Sequence, residues 1–217
     1  MSARSPPPQP TVFIVEDDEA VRLALASSLQ MRGLRVAGFQ SAEHFLAAYR
    51  ADAPGCLVLD LKMPGMSGLE LQERLIAEGC AVPIIFVSGF GTVPDAVRAM
   101  KNFAIDFLDK PYQLSAMLKC IEQALARDAH ARAQYASREQ LIRRLAGLTS
   151  REHEVLQQLI SGPANLTNKQ IAKALNISHR TVAEHRAKIL TKTGARSITE
   201  LADMARLVDL QRPVAEQ

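Results

Sequence analysis

Short apolar runs alternate with stretches of helical periodicity through the first half of this chain, and that alternation limits the possible folds more than any other feature. Thr11–Val15, Leu34–Gly38, Cys56–Leu59, Pro83–Val87 and Ile105–Leu108 read as strands. Between them Glu19–Arg32, Ala42–Arg50, Gly68–Glu78 and Pro94–Asn102 read as helices, and a fifth helix begins near Gln113. The run Cys56-Leu57-Val58-Leu59 has no polar break, which is the pattern of a strand covered on both faces. Regular βα alternation predicts an α/β fold, a doubly wound five-stranded parallel sheet with helices on both faces.

In such sheets function gathers at the carboxyl ends of the strands, so those ends matter most. The first ends in Glu16-Asp17-Asp18, the third in Asp60, the fourth in Ser88, and the fifth runs to Lys110-Pro111. Converging carboxylates repel one another and hold protons more tightly unless a cation joins them. An all-oxygen cluster with room for water suits Mg²⁺ or Mn²⁺. Taken singly, each feature has a plainer reading: an acidic triplet caps the following helix, which we expect of Asp18, and Lys-Pro or Ser-Gly marks a turn. Four such features at four strand ends are harder to attribute to coincidence.

The stretches "VFIVEDDEAVR", "LVLDLKMPGMSG", "IIFVSG" and "DFLDKPY" occur in this order, and about the first 120 residues resemble the receiver domain of two-component response regulators, a flavodoxin/CheY-like fold. The resemblance implies that Asp60 is the phospho-acceptor and that Glu16, Asp17 and Asp60 hold Mg²⁺. It also implies that Ser88 and Lys110 contact the phosphoryl group, that the Lys110–Pro111 bond is cis, and that Phe107 is the aromatic switch. On this reading phosphorylation draws Ser88 toward the new oxygens, Phe107 fills the vacated space, and the face of the fourth helix and fifth strand shifts for dimerisation. The plainer reading of Phe107 is core packing. Three positions depart from the family pattern: Glu16 where aspartate is commoner, Phe90 where histidine is frequent, and Phe103 where glycine usually follows the fourth helix. Phenylalanine there cannot cheaply adopt the left-handed conformation that glycine supplies, leaving Asn102 to cap the helix. Phe90 and Phe103 are expected to add an exposed apolar patch to the signalling face.

The rear of the chain has a different charge. Residues 1–124 carry 11 Lys and Arg against 14 Asp and Glu, whereas residues 125–217 carry 15 against 9. A basic rear half makes nucleic acid a candidate partner. From Gln113 to about Leu145 the sequence is rich in good helix formers, with no Pro or Gly before Gly147, so the fifth helix continues into a long connecting helix. Arg127, Arg132, Arg138, Arg143 and Arg144 are expected on its solvated face. Thr149 and Glu152 have the spacing of a capping box. "LTNKQIAKALNISHRTVAEHRAKILTKTG" then predicts two helices joined by a turn at Asn176-Ile177-Ser178, with Ile171, Ala172, Leu175, Ile177, Val182 and Ile189 forming one packed interface. A short turn followed by a basic second helix is the pattern of a major-groove reader.

Leu148–Leu207 resembles the LuxR-type DNA-binding domain of NarL/FixJ-class regulators, closest to the FixJ-like branch, through "LTSREHEVL", "NKQIAKALNIS" and "RTVAEHRAKILTKTG". The loop in "SGPANLTNKQ" is about three residues longer than usual for that class. By chemistry, Lys169, Thr181, Arg186, Lys188 and Lys192 are candidates for DNA phosphates, and Arg180, Ala183, Glu184 and Ala187 for base edges. Leu201, Met204 and Val208 of the last helix are expected to form a dimer face.

The expected organisation is a flexible tail (1–10), a receiver (11–124), a linker helix (125–146), a helix-turn-helix domain (147–210) and a tail (211–217). The Pro-rich start has no apolar h-region, and no apolar run approaches the roughly 18 residues of a membrane span. Cys56, Cys80 and Cys120 lack metal-type spacing and are expected reduced, with Cys56 and Cys120 in the core. The expected function is a cytoplasmic regulator with no enzymatic role beyond self-phosphorylation and slow self-dephosphorylation. Its expected partners are a sensor histidine kinase, double-stranded DNA, RNA polymerase and a second copy of the chain. Two alternatives remain at this point. One is a regulator controlled by protein contacts alone. The other is a phosphoaspartate phosphatase, disfavoured because Leu61-Lys62 follows Asp60 with no second acid two residues on.

Overall fold

The structure is a computed structural model that describes residues 9–89, 92–161 and 167–209. The chain divides into two compact units, Met1–Arg132 and Ala133–Gln217. In the first, strands β1 (Thr11–Val15), β2 (Arg35–Phe39), β3 (Gly55–Asp60), β4 (Ile84–Ser88) and β5 (Asp106–Asp109) form one parallel sheet in the order β2-β1-β3-β4-β5. All five predicted strands are present, four of them displaced by about one residue, the usual uncertainty of a boundary.

Strand periodicity of two divides each central strand between two cores. Phe13, Val15, Leu57, Leu59, Ile84 and Phe86 face one cluster with α2 (Ala42–Ala48), α3 (Gly68–Ala77) and α4 (Val93–Lys101). Val12, Ile14, Cys56, Val58, Ile85 and Val87 face another with α1 (Glu19–Gln30) and α5 (Leu114–Ala146). Both faces are therefore buried, which explains the unbroken apolar run in β3. Cys56 and Cys120 are buried thiols in the second cluster. Burial pushes them up, Cys56 to about 12 and Cys120 to about 11.

Arg132 does not lie on a solvated face. It donates through Nε to both oxygens of buried Asp128 at 2.9 Å, and through its other nitrogens to the carbonyls of Ala51, Asp52 and Ala53. Asp128 in turn accepts from Gly55 N at 2.9 Å, where β3 begins. The ion pair thus ties α5 to the loop that starts the central strand. A side chain at Gly55 is excluded, because a Cβ there would lie 1.9 Å from the Thr11 carbonyl oxygen.

The end of α4 also differs from expectation. Asn102 caps it with φ −90°, and Phe103 itself takes the left-handed conformation, at φ 63°. Phe103 N donates to Met100 O and Ala104 N to Ala99 O, the two bonds of a Schellman motif. Ala99 and Ala104 are both buried and supply its apolar contact. Phenylalanine at this position costs about 1 kcal/mol or more relative to glycine. Phe90 lies outside the described residues.

The second unit packs α6 (Ser150–Ser161), α7 (Asn168–Leu175), α8 (His179–Thr193) and α9 (Ile198–Asp209) around Val155, Ile171, Val182, Ile189 and Leu201. Leu201 is fully buried and Met204 packs against this core, so these two residues stabilise the unit and are not a free dimer face. The side chain of Val208 lies outside the described residues.

Because the Phe103 side chain is 75% exposed, little burial opposes relief of its backbone. Phe103→Gly is expected to stabilise the first unit by about 1 kcal/mol, read as a higher urea midpoint. An unchanged or lower midpoint would mean that the ring contributes more than its exposure indicates.

Candidate functional site

Parallel strands place their carboxyl ends along one edge, with the chain reversing its direction across the sheet between β1 and β3. Glu16 follows β1, Asp60 ends β3, Ser88 ends β4 and Lys110 follows β5. Oxygens of Glu16, Asp17 and Asp60 lie within 4.8 Å of one another. The Lys110 ammonium bridges two of these acids, donating to Glu16 Oε2 and Asp60 Oδ2 at 2.6 Å each. The Glu16 and Asp60 side chains are 5% and 10% exposed, whereas Asp17 is open to solvent. Burial raises the Glu16 carboxyl above its ordinary range; the neighbouring Asp60 charge adds to this and Lys110 opposes it. Burial works against the Lys110 ammonium, but its bonds to Asp60 and Glu16 raise it overall. Three carboxylates and one ammonium leave an excess of negative charge on hard oxygen donors, which fits a divalent cation such as Mg²⁺.

The backbone around these acids is held by contacts that the sequence did not reveal. Arg22 Nη1 donates to Glu16 O at 2.7 Å, and Glu43 Oε1 accepts from Met66 N at 3.1 Å in the loop after β3. Asp60 Oδ1 accepts from Lys62 N at 3.1 Å. Gly68, the first residue of α3, abuts this loop so closely that a Cβ would lie 2.3 Å from Asp60 O. Ser88 is buried, one residue beyond Val87, which pairs with Asp60. The Lys110–Pro111 bond is cis. Phe107 is half-buried and stacks on Phe86 with ring centroids 6.3 Å apart. Asp18 accepts from Val21 N and caps α1, as expected.

In the second unit, Asn176 ends α7 at φ 52° and Ser178 caps α8 by accepting from Thr181 N. Val182 and Ile189 face the core, which turns Arg180, Ala183, Glu184, Ala187 and Lys188 outward on α8. Lys169 is exposed at the start of α7. Arg186 donates to Asn168 Oδ1 at 2.6 Å, and Arg180 approaches Glu184 at 3.4 Å. The five-residue segment 162–166, within the expected longer loop, lies outside the described residues.

Residues 12–122 match the response regulator receiver domain, and residues 146–205 match the luxR family of bacterial regulatory proteins. This chain belongs to the response regulators. It is 44% identical to the transcriptional regulatory protein FixJ of Azorhizobium caulinodans, over 90% of this chain and 92% of that one. It is 43% identical to FixJ of Rhizobium meliloti, over 90% and 94% respectively. A solved structure of the response regulator StyR shares 44% identity and a TM-score of 0.83, covering 92% of this chain and all of StyR. The chain is thus a LuxR-type response regulator of the FixJ-like branch, which regulates transcription under phosphoryl control. Among the described residues, no helix is long and apolar enough to cross a membrane.

Lys192 and Arg144 make contacts within the second unit that the sequence did not reveal, whereas Arg143 stays exposed in a surface pair. Lys192, expected at DNA phosphate, donates to Glu152 Oε2 at 2.7 Å and to the Gly147 carbonyl. Its ammonium is thus engaged by Glu152, which is 3% exposed and would keep only its contacts with Thr149 if Lys192 turned outward. Arg144 donates to the Thr193 carbonyl at 2.8 Å, and Arg143 pairs with Glu139. Glu152 also accepts from Thr149 N, completing the predicted capping box.

The Lys192 bond, followed by the Thr149 amide, lowers the Glu152 carboxyl from the ordinary 4.5 to about 2. A depressed folded value contributes stability above the unfolded value, and that stability is lost as pH falls toward the folded one. Glu152→Gln is therefore expected to flatten the acid-side loss of stability between those two values, measured by urea unfolding of the full chain. Parallel acid limbs in both proteins would show that this pair carries no linkage.

Proposed function

We propose that this regulator accepts a phosphoryl group on Asp60 from a sensor histidine kinase, dimerises, and binds promoter DNA through α8. The observation that carries the proposal is the convergence of Glu16, Asp17 and Asp60 within 4.8 Å, with Lys110 bridging two of them. An Asp60 oxygen forms a bond to phosphorus as the phosphorus–nitrogen bond of a phosphohistidine donor breaks, and the imidazole leaves with the electron pair. Glu16, Asp17 and Asp60 are the residues that would hold Mg²⁺, whose charge offsets repulsion between nucleophile and phosphoryl group. Lys110 neutralises a phosphoryl oxygen as a compact point charge, and Ser88 donates a hydrogen bond to another. The same chemistry accounts for self-phosphorylation by small donors and for slow hydrolysis of the acyl phosphate.

Phe107 lies beside β4, half-buried and stacked on Phe86, and this incomplete burial supports its role as the switch. Val93, Val97 and Met100 are 79%, 47% and 46% exposed and share one face of α4, a surface suited to a second copy of the chain. For DNA, Lys169, Thr181, Arg186 and Lys188 are assigned to phosphates, and Arg180, Ala183, Glu184 and Ala187 to base edges. Residues 11–124, 125–146 and 147–210 are the proposed receiver, linker and DNA-binding segments. A cytoplasmic location and contact with RNA polymerase follow from this reading.

Two measurements test it. With beryllofluoride and Mg²⁺, wild type is expected to sediment as a dimer and bind promoter DNA more tightly, while Asp60→Ala stays unresponsive. Equal responses in both would reject Asp60 as the acceptor. Lys188→Ala, at an exposed position, is expected to weaken binding to all sequences alike and reduce the salt slope by about 1. An unchanged slope would remove Lys188 from the phosphate contacts.

A further inference from the structure

Glu16 and Asp17 sit on the short turn between β1 and α1, past the point where the ladder can take up their carbonyls. Val15 is the last residue of β1 paired with β2, opposite Phe39. Just beyond it, Glu16 N still donates to Phe39 O at 3.1 Å. The Glu16 and Asp17 carbonyls are met instead by Arg22, whose Nη1 lies 2.7 Å from the first and 3.4 Å from the second.

Two further features set this half-buried arginine apart from an ordinary surface cation. Its main chain is fixed in the first turn of α1, where Arg22 N donates to Asp18 O at 2.9 Å and Asp18 caps the helix. Its stem lies along Gly38 of the edge strand β2, where an added Cβ would be 3.3 Å from both Cγ and Cδ of Arg22. Gly38 is not among the glycines of positive φ, so what it provides is space. A glycine inside a strand weakens it and marks a close approach, here that of the arginine stem.

Among the described residues Arg22 makes no ion pair, and both of its bonds go to carbonyl oxygens. Lys110, by contrast, occupies one oxygen each of Glu16 and Asp60. A cation that grips the main chain can fix where two acids sit while leaving their oxygens to a metal. We infer that Arg22 is a positioning residue for the divalent-cation site, holding the turn that presents the Glu16 and Asp17 carboxylates, with Gly38 as the slot for its stem. The inference rests on the proposed role of Glu16, Asp17 and Asp60 in holding the ion. The guanidinium has two opposed effects, since its charge repels a bound cation whereas its bonds preorganise the ligands. Groups that orient metal ligands contribute about 10- to 100-fold in affinity. A charge acting across the solvent-open edge beside Asp17 contributes less, so positioning sets the sign.

The test measures Mn²⁺ binding to the unphosphorylated full-length protein from the electron paramagnetic resonance signal of the free ion, because Mn²⁺ accepts the same oxygen ligands as Mg²⁺. Arg22→Gln is expected to bind Mn²⁺ about tenfold more weakly than wild type. Gly38→Val adds a β-branched side chain that suits a strand but crowds the arginine stem. It is expected to weaken Mn²⁺ binding in the wild-type background and to add nothing in Arg22→Gln, a coupling that general loss of stability does not produce. Equal or tighter binding by Arg22→Gln, or additive effects of the two substitutions, would overturn the inference while leaving the ion site intact. A wild type that leaves all Mn²⁺ free, or an Asp17→Asn variant that binds it undiminished, would reject the ion site itself and the inference with it.

Discussion

The bridge from the Lys110 ammonium to Glu16 and Asp60 is the interaction around which the receiver is arranged. Two carboxylates with exposures of 5% and 10% cannot stand side by side in a sheet edge without a cation. Lysine from the far edge strand supplies it, and in doing so joins the ends of β1, β3 and β5. The compensation is partial, because Glu16 still holds its proton more tightly than usual. A receptive site needs this intermediate condition. Enough positive charge is present to keep the acids folded inward, and enough negative charge remains to attract a divalent ion.

A second ion pair does comparable work at the other end of the sheet. Asp128 and Arg132 take up the Gly55 amide and three successive carbonyls of the loop before β3. The central strand is therefore anchored by charge at its start and carries the Asp60 carboxylate at its end. In the second unit the Lys192–Glu152 pair secures the amino end of α6 in the same way. In all three cases a buried acid is satisfied by a cation and backbone amides together, a combination that compensates burial better than either alone.

Much of this was legible in the sequence because the signals are local. Short apolar runs between helical stretches marked the strands, and the Glu16-Asp17, Asp60, Ser88 and Lys110 features each stood at a strand end whose position the alternation fixed. Capping by Asp18 and by the Thr149–Glu152 pair depends on neighbours three residues apart, and it was equally readable. The misreadings share a different origin. Arg132 and Leu201 were assigned to exposed or partner-facing roles from their residue type alone, and each is claimed by a partner distant in sequence or by core burial. Nothing near Arg132 indicates that the carbonyls of residues 51–53 lie within its reach. Phe103 was misjudged for another reason. The Schellman bonds and the Ala99–Ala104 contact together outweigh the preference of one residue for negative φ, so the helix ends where glycine would have ended it.

Gly68 connects β3 to what lies behind it. The first turn of α3 is packed against the Asp60 carbonyl with no room for even a methyl group. The backbone that carries the carboxylate thus has a rigid floor, and the carboxylate can move only by rotating its own side chain. On the proposed phosphorylation of Asp60, close packing on the α3 side leaves the sheet edge toward β4 and β5 as the direction in which the surroundings can adjust.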